Sequence, residues 1–511
     1  MELFGCNFPL ALGLLAGIVA LLYMYAKRRK SVFKNFGIPG PDQNLIFGGT
    51  LEFLRKGIDF ENKNRKLYGD VHGEWFGGIA MVTVYDPDIL KEVLIKDFDT
   101  FGDRLALLDL DNSPLSTNLF SAKVDTWKRI RKICSPTFSG GKLRKMIKGI
   151  NICAEKLTKN FIRAGESGEE ADVKEYFGAF TMAAIGSTGF GIDIDSQNDF
   201  NNNFVRETKK VLDNAFLSNI AILIIMLFPE LRPLVKWTGI GAFSASTKRF
   251  FIQAVTDMIK QRKNDSKEER ERRVDFLQLM LDAEDDGADH DAAKTGDEAA
   301  QKSANKLTAE EMIGQAFIFI LAGYETTAST LQYAAYILAT QPGVQDKLAE
   351  EISSVLGDEE PDYDNIQRLT FMDRVVNETL RLFPAAPGTS RYVSKTTTIK
   401  GWTFPEGTYV NVPILFLHRD PDVYPEPNKF NAERWEKKSE INPMFFLPFG
   451  HGPRQCIGMR LALVEVKVAL VHVIRHIRFV RLVDTPDELT EFKTTGVLQP
   501  KTPIKLKIEL R

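Results

Sequence analysis
The chain has 511 residues, 66 Lys+Arg against 68 Asp+Glu, a formal net charge of −2 and 44% apolar residues. So even a charge balance gives no reason to expect a nucleic-acid partner. Four cysteines (Cys6, Cys134, Cys153 and Cys456) in so long a chain exclude a disulfide framework.

Phe8 to Ala26 contains no Asp, Glu, Lys or Arg and is followed at once by Lys27-Arg28-Arg29-Lys30. Its length is close to the roughly 20 residues that span a bilayer. A secretory signal carries its positive charge first, so the reversed order predicts an uncleaved anchor with its C-terminal side cytosolic. Ile38-Pro39-Gly40-Pro41 then makes a stiff turn, which divides the chain into an anchor and basic linker (1–37) and a body (38–511). Trp127 and Arg131 lie four apart, on one helix face. From Lys123 to Lys148 the charges are Lys123, Lys128, Arg129, Arg131, Lys132, Lys142, Arg144, Lys145 and Lys148, opposed only by Asp125. Such a face is either a solvated helix surface or a dock for an acidic partner. The apolar run Ile220–Phe228 suits either a buried core or a second membrane contact. Ala283–Ala304 is acidic and nearly free of large apolar residues, and is expected to be a mobile loop.

Thr308-Ala309-Glu310-Glu311 is a capping box, and Gln341-Pro342-Gly343 closes the apolar stretch it opens, predicting a helix roughly 50 Å long. Within it Ala322-Gly323-Tyr324-Glu325-Thr326-Thr327 places a glycine in mid-helix, at a cost of about 1 kcal/mol relative to alanine. Gly323 is explained by a kink, by a close helix crossing, or by a local widening of the kind that marks active sites. Val375, Val376, Thr379, Leu380 and Leu382 suggest another helix, stopped by Pro384 and Pro387, with Glu378 and Arg381 on one face. Short strands are expected at Met81–Tyr85, Thr397–Phe404 and Thr408–Val412, giving a mainly α fold with a minor β region. Length alone suggests about three domains at ~150 residues each.

Phe449 to Gly458 read Phe-x-x-Gly-x-Arg-x-Cys-x-Gly. Leu461, Val464, Val468 and Val471 predict a helix just after Cys456, whose unpaired N–H groups and dipole favour the metal-binding thiolate. Gly452 and Gly458 allow tight bends and close approach to a flat cofactor. Arg454 can neutralise an acidic edge of that cofactor, and Phe449 can pack near the sulfur. This loop resembles the haem-binding loop of the cytochrome P-450 family. Glu378-Thr379-Leu380-Arg381, then Phe430-Asn431-Ala432-Glu433-Arg434-Trp435, then the cysteine loop follow in that family's order and approximate spacing. The resemblance runs from about Ile38 to the C-terminus and is greatest to the vertebrate drug-metabolising family-three enzymes and thromboxane synthase.

The resemblance implies a single catalytic domain of that fold behind an N-terminal transmembrane helix, because haem contacts spread along the chain must meet in one core. Cys456 would be the axial ligand of haem b. Arg104, Trp127, Arg131 and Arg391 would meet its propionates, and Glu378, Arg381 and Arg434 would form a buried charge triad behind it. Thr326 would hydrogen-bond dioxygen, and Glu325 would help relay protons. Phe120, Phe317, Ile318, Ala385, Ala386 and Val497 would line an apolar pocket. The implied protein is a membrane-bound monooxygenase of the endoplasmic reticulum with a cytosolic catalytic domain. It would insert one oxygen atom into a steroid, fatty acid or xenobiotic with electrons from NADPH through NADPH-cytochrome P-450 reductase, with cytochrome b5 a further partner. Two alternatives keep the haem but change what it does. One is an isomerase of lipid endoperoxides, like thromboxane synthase, and the other is a non-catalytic haem sensor. Thr326 beside Glu325 favours oxygen activation over both.

Overall fold
The computed structural model describes residues 8–105, 114–213, 219–239, 241, 243–285, 306–493 and 496–511. Helix α1 (Phe8–Lys30) ends in its four basic residues. Among the described residues no helix is long and apolar enough to cross a membrane, so the expected span is not shown. The foot of α1 is nevertheless fixed to the body: Tyr25 and Arg29 both donate to the carboxylate of Glu230, at 2.5 and 3.1 Å.

Helix α2 (Ile58–Tyr68) precedes strands β1 (Val71–Phe76) and β2 (Ile79–Val84), which pair antiparallel with Val71 opposite Val84. Four further helices build the near half of the body: α3 (Val124–Cys134), α4 (Gly140–Ser167), α5 (Val173–Phe190) and α6 (Ile220–Leu227). In α6, Ala221, Ile222, Ile225 and Met226 face the core while Ile220 and, just beyond, Phe228 are exposed. The core reading therefore holds for the inward side of that greasy run. The acidic stretch expected to be a loop lies, from residue 286 onward, outside the described residues.

Helix α7 (Ala309–Thr340) has the capping box in place: the Thr308 hydroxyl accepts from the Glu311 N–H, and the Glu311 carboxylate accepts from the Thr308 N–H. At 32 residues it is about 48 Å long. It stays α-helical through Gly323, so no local widening is present. A Cβ there would stand 3.1 Å from Ile185 of α5, so the glycine serves a close helix crossing. Helix α8 (Thr370–Leu382) buries Phe371, Met372, Val375, Val376 and Leu380 and ends before Pro384.

Strands β3 (Thr389–Tyr392) and β4 (Tyr409–Val412) complete a four-stranded sheet in the order β1-β2-β4-β3, with β2 parallel to β4. The single strand expected over Thr397–Phe404 is a hairpin of Thr397–Ile399 and Trp402–Phe404. Its turn residues Lys400 and Gly401 both have positive φ, 49° and 83°. Helix α9 (Met459–Ile474) follows the cysteine loop and is almost wholly buried. One large apolar core lies among the helices, and a second lies under the sheet, where Val82, Val84, Leu94, Val410, Val412 and Leu447 pack together. Leu447 belongs to the chain leading into the cysteine loop, so that loop is docked on the β region.

Candidate active site
Cys456 precedes α9, its backbone N–H donating to the Phe449 carbonyl at 2.9 Å. Its side chain is exposed, although protein atoms surround it closely. Burial pushes the thiol up. The N–H groups of Gly458 and Met459 and the cations Arg131 and Arg104 oppose it without overcoming it. The helix terminus thus pulls towards the thiolate, as expected.

The two glycines differ from each other. Gly452 has φ +77°, and a Cβ on it would lie 2.0 Å from the Leu94 carbonyl oxygen. It makes the tight bend expected and is required by close approach to another backbone. Gly458 has an ordinary φ of −85°. A Cβ there would meet nothing nearer than Phe138 at 3.8 Å, so its value is open space beside the sulfur.

Arg104, Trp127, Arg391 and Arg454, expected around an acidic cofactor edge, converge on the loop. Arg454 donates to the carbonyls of Gly102 (3.0 Å) and Ala122 (2.8 Å) and lies 4.4 Å from the Trp127 ring centroid. Arg104 donates to the Arg454 carbonyl at 2.7 Å, and its Nε is buried without a partner among the described residues. Arg391 is 2% exposed and donates only to Thr389 Oγ1 and the Ser390 carbonyl. Burial and mutual repulsion pull these groups down: Arg454 to about 9, Arg104 to about 10, and Arg391 well below its usual range. Burial also lowers Arg131, which feels the charge of Cys456. Asp103, 3.7 Å from Arg454, is the nearest counter-charge in this group. Charges taken out of water are costly unless paired, and one acid among four arginines leaves room for two more negative charges, so the residues present fit the propionates of a haem. Phe449 is half-buried against the large core.

On α7, Thr326 Oγ1 donates to the Ala322 carbonyl at 2.7 Å. The Glu325 carboxylate receives Lys174 Nζ at 2.6 Å and Gln499 Nε2 at 2.9 Å. Sequence reasoning missed Lys174 and Gln499, for neither carries a local pattern that points to a residue so distant in the chain. Burial lowers the Lys174 ammonium against the opposing pull of Glu325.

Glu378 and Arg381 form a fully buried bidentate pair, 2.8 Å at both bonds, and Arg434 Nε reaches Glu378 at 3.3 Å. The network is larger than a triad. The Asn431 N–H and Trp435 Nε1 each donate to Glu378 at 2.9 Å, and Arg381 also donates to the carbonyls of His418 and Pro427. His418 ties this network to the cysteine loop by accepting the Leu447 N–H at 2.7 Å. Of these extra members, Asn431 and Trp435 stand inside the Phe430–Trp435 segment that the sequence had already singled out.

Of the apolar candidates, Phe120 is 42% exposed with Arg104 over its ring, and Ala386 is exposed. The Ala385 carbonyl accepts the Leu498 N–H at 2.9 Å, which brings Val497 beside it. Ile318 is buried. Phe317 is sealed edge-to-face between Phe243 and Phe251, so it is core in this structure and presents no free lining. The basic face is also smaller than its sequence suggests. Arg129 is bound to Glu311 and Arg144 to Asp364, while Lys128 lies 3.3 Å from Asp99.

The family model described as Cytochrome P450 matches residues 38–508. The chain is 40% identical over 500 residues to cytochrome P450 3A29 of Sus scrofa, covering 97% of this chain and 95% of the relative. It is 39% identical over 501 residues to cytochrome P450 3A5 of Homo sapiens (98% and 96% covered) and 37% identical over 499 residues to cytochrome P450 3A56 of Fundulus heteroclitus (97% of each). With an exposed loop cysteine, an arginine cluster short of acid and this similarity over nearly the whole chain, the chain belongs to the cytochrome P450 family and is a cytochrome P450 monooxygenase.

Proposed function
We propose that this monooxygenase is held at the endoplasmic reticulum membrane, draws electrons from NADPH through a flavoprotein reductase, and oxidises lipophilic small molecules of the steroid, fatty-acid or xenobiotic kind. The observation that carries the reading is the cluster Arg104, Arg131, Arg391 and Arg454, which is short of acid and stands beside an exposed cysteine. Haem b, when bound, supplies dioxygen binding and its reductive activation.

The chain's own residues divide the remaining work. Cys456 would ligate the iron, and the arginines with Trp127 would hold the propionates and so fix the plane of the group. Glu325, gripped by Lys174 and Gln499, holds a proton-accepting oxygen one residue from Thr326 on the same helix. Thr326 Oγ1, already bonded to Ala322, has its lone pairs directed by that bond and can pass a proton delivered to it. Apolar groups near Phe120, Ala385, Ala386 and Val497 would exclude water and admit a lipophilic substrate.

Two features support the membrane reading. Residues 8–26 are free of charge ahead of a basic cluster. Beyond α6, Phe228, Leu231, Leu234 and Trp237 are exposed, Trp237 at 83%, beside Glu230, which holds the foot of α1.

The deciding measurement is product mass, with the protein in lipid beside its reductase and a mixed substrate panel, with and without NADPH. Products heavier by one oxygen only with NADPH are expected. Rearranged products of unchanged mass, indifferent to NADPH, would replace this reading with an isomerase. Cys456→Ala abolishes the red-shifted reduced carbonyl band; a variant that keeps it assigns the ligand elsewhere.

A further inference from the structure
Far along the chain from the cysteine loop, Glu61 of α2 and His72 and Glu74 of β1 bring a ring nitrogen and two carboxylate oxygens within 4.8 Å of one another, all three side chains buried. His72 and Glu74 are two apart on a strand, hence on one face of it, and α2 packs across that face. His72 Nδ1 meets the Gly69 carbonyl at 2.9 Å, an acceptor that requires the proton on Nδ1. The Nε2 lone pair of the neutral ring therefore points at Glu74 Oε1, 2.8 Å away. The one neutral donor to that oxygen is Asn64 Nδ2, at a long 3.3 Å. At that distance only a proton fits between the two atoms, and a metal in its place would open the pair.

A second observation points the same way. Glu61 Oε2 and the Tyr85 hydroxyl are both buried with no well-formed hydrogen bond among the described residues, although the hydroxyl stands near enough to Glu61 to ease its ionisation. Tyr85 is 1% exposed, and its ring stacks on His72 at 6.2 Å. The nearest cation, Arg65, does not serve the cluster: it lies flat on the Tyr85 ring and spends its donors on Asp70 and Asp420.

We propose that Glu61, His72 and Glu74 bind a structural Zn²⁺, with the Tyr85 hydroxyl or a water as fourth donor, stapling α2 to the β1–β2 hairpin. One imidazole with carboxylates suits zinc, whereas Ca²⁺ and Mg²⁺ require six or more, or strictly octahedral, oxygen donors that this cluster does not supply. The Nδ1–H bond to Gly69 is the outer support that orients a histidine ligand. Tetrahedral zinc bonds of about 2.0–2.2 Å set the donors roughly 3.4 Å apart, so the His72–Glu74 pair at 2.8 Å opens slightly while any wider separation within the 4.8 Å cluster closes. Binding displaces any proton held between His72 and the two acids into the medium.

The test uses the full-length, haem-loaded protein in detergent, passed over a chelating resin and then equilibrated with ZnCl₂. Elemental analysis is expected to give one zinc per haem iron, and zinc-edge absorption spectroscopy one nitrogen and otherwise oxygen neighbours. A strong chelator is expected to lower Tm, and zinc, but not calcium, to restore it. His72→Phe and Glu61→Gln each lower zinc content at least about tenfold while the reduced carbonyl band persists. Absence of stoichiometric zinc in the wild-type protein overturns the proposal and leaves a His72–Glu74 pair sharing a proton. Zinc retained in both variants also overturns it, by placing the metal elsewhere. The wild-type arms decide the matter even if a variant does not fold.

Discussion
Lys174 Nζ lies 2.6 Å from Glu325 Oε1, so the acid next to Thr326 is clamped by a cation from α5, a neighbouring helix. The clamp has two jaws, because Gln499 from the C-terminal segment grips the same oxygen. A carboxylate held this way has a fixed place from which to accept and release a proton.

Removing the cationic jaw should therefore slow proton delivery without disturbing haem. Lys174→Gln is expected to lower kcat about tenfold, with KM little changed and a larger solvent deuterium effect; proton delivery by one positioned group is worth about 10²–10⁴-fold in general. An unchanged isotope effect would assign Lys174 a purely structural role.

Arg381 donates to a carboxylate and three backbone carbonyls with no exposure to solvent. Arg381→Ala leaves these acceptors and the Glu378 charge short of donors, a loss of about 3–5 kcal/mol. The purified variant is expected to carry little or no haem by absorbance per protein. A stable, fully loaded variant would contradict the assignment.

Two buried groups set opposite pH limits. Burial, then the nearby Arg381 cation, depresses His418 from 6.5 to about 3. Protonation would also turn its Nε2 into a donor facing the Leu447 N–H. A depressed histidine contributes stability that is complete above 6.5 and is lost as pH falls towards 3, at most about 5 kcal/mol. Glu465 in α9 is raised by burial from 4.5 to about 8, with Thr327 bonded to it. Its contribution is complete below 4.5 and is lost as pH rises through 8. Tm followed from pH 4 to 9 is expected to fall at both ends, and Glu465→Gln to raise it at pH 8 while changing it little at pH 5. Parallel curves for the two proteins would remove Glu465 as the alkaline limit.

With Arg129 and Arg144 bound to acids of their own chain, Lys132 and Lys145 are, with Lys123 and Lys148, exposed cations through which an acidic donor would be steered. Lys132→Glu and Lys145→Glu are expected to slow reduction by the reductase several-fold at low salt, the difference fading at high salt. Salt-independent slowing would point to a cause other than docking.

The chemistry-bearing residues are legible in the sequence because each stands in a short pattern: Cys456 in its loop, Glu378 and Arg381 three apart on a helix, Thr308 and Glu311 in a capping box. Their partners are not, since Lys174, Gln499 and His418 reach them only through tertiary folding. Arg391 and Arg104 are legible as cationic contacts, but their shortage of acid emerges only when the chain is folded around them. Gly323 shows the converse, where a mid-helix glycine fits several causes until Ile185 is seen against it. The segment around Lys400-Gly401 reads as one strand rather than a hairpin because lysine rarely takes a positive φ.

Gly452 also carries a lesson about time. Its contact with the Leu94 carbonyl joins parts of the chain that emerge from the ribosome far apart, and non-local pairings of this kind form slowly. The cradle around Cys456 has no stable shape until the early β region has found it. Haem capture is thus an event of the completed chain, and a nascent or truncated one offers the cofactor nowhere to rest.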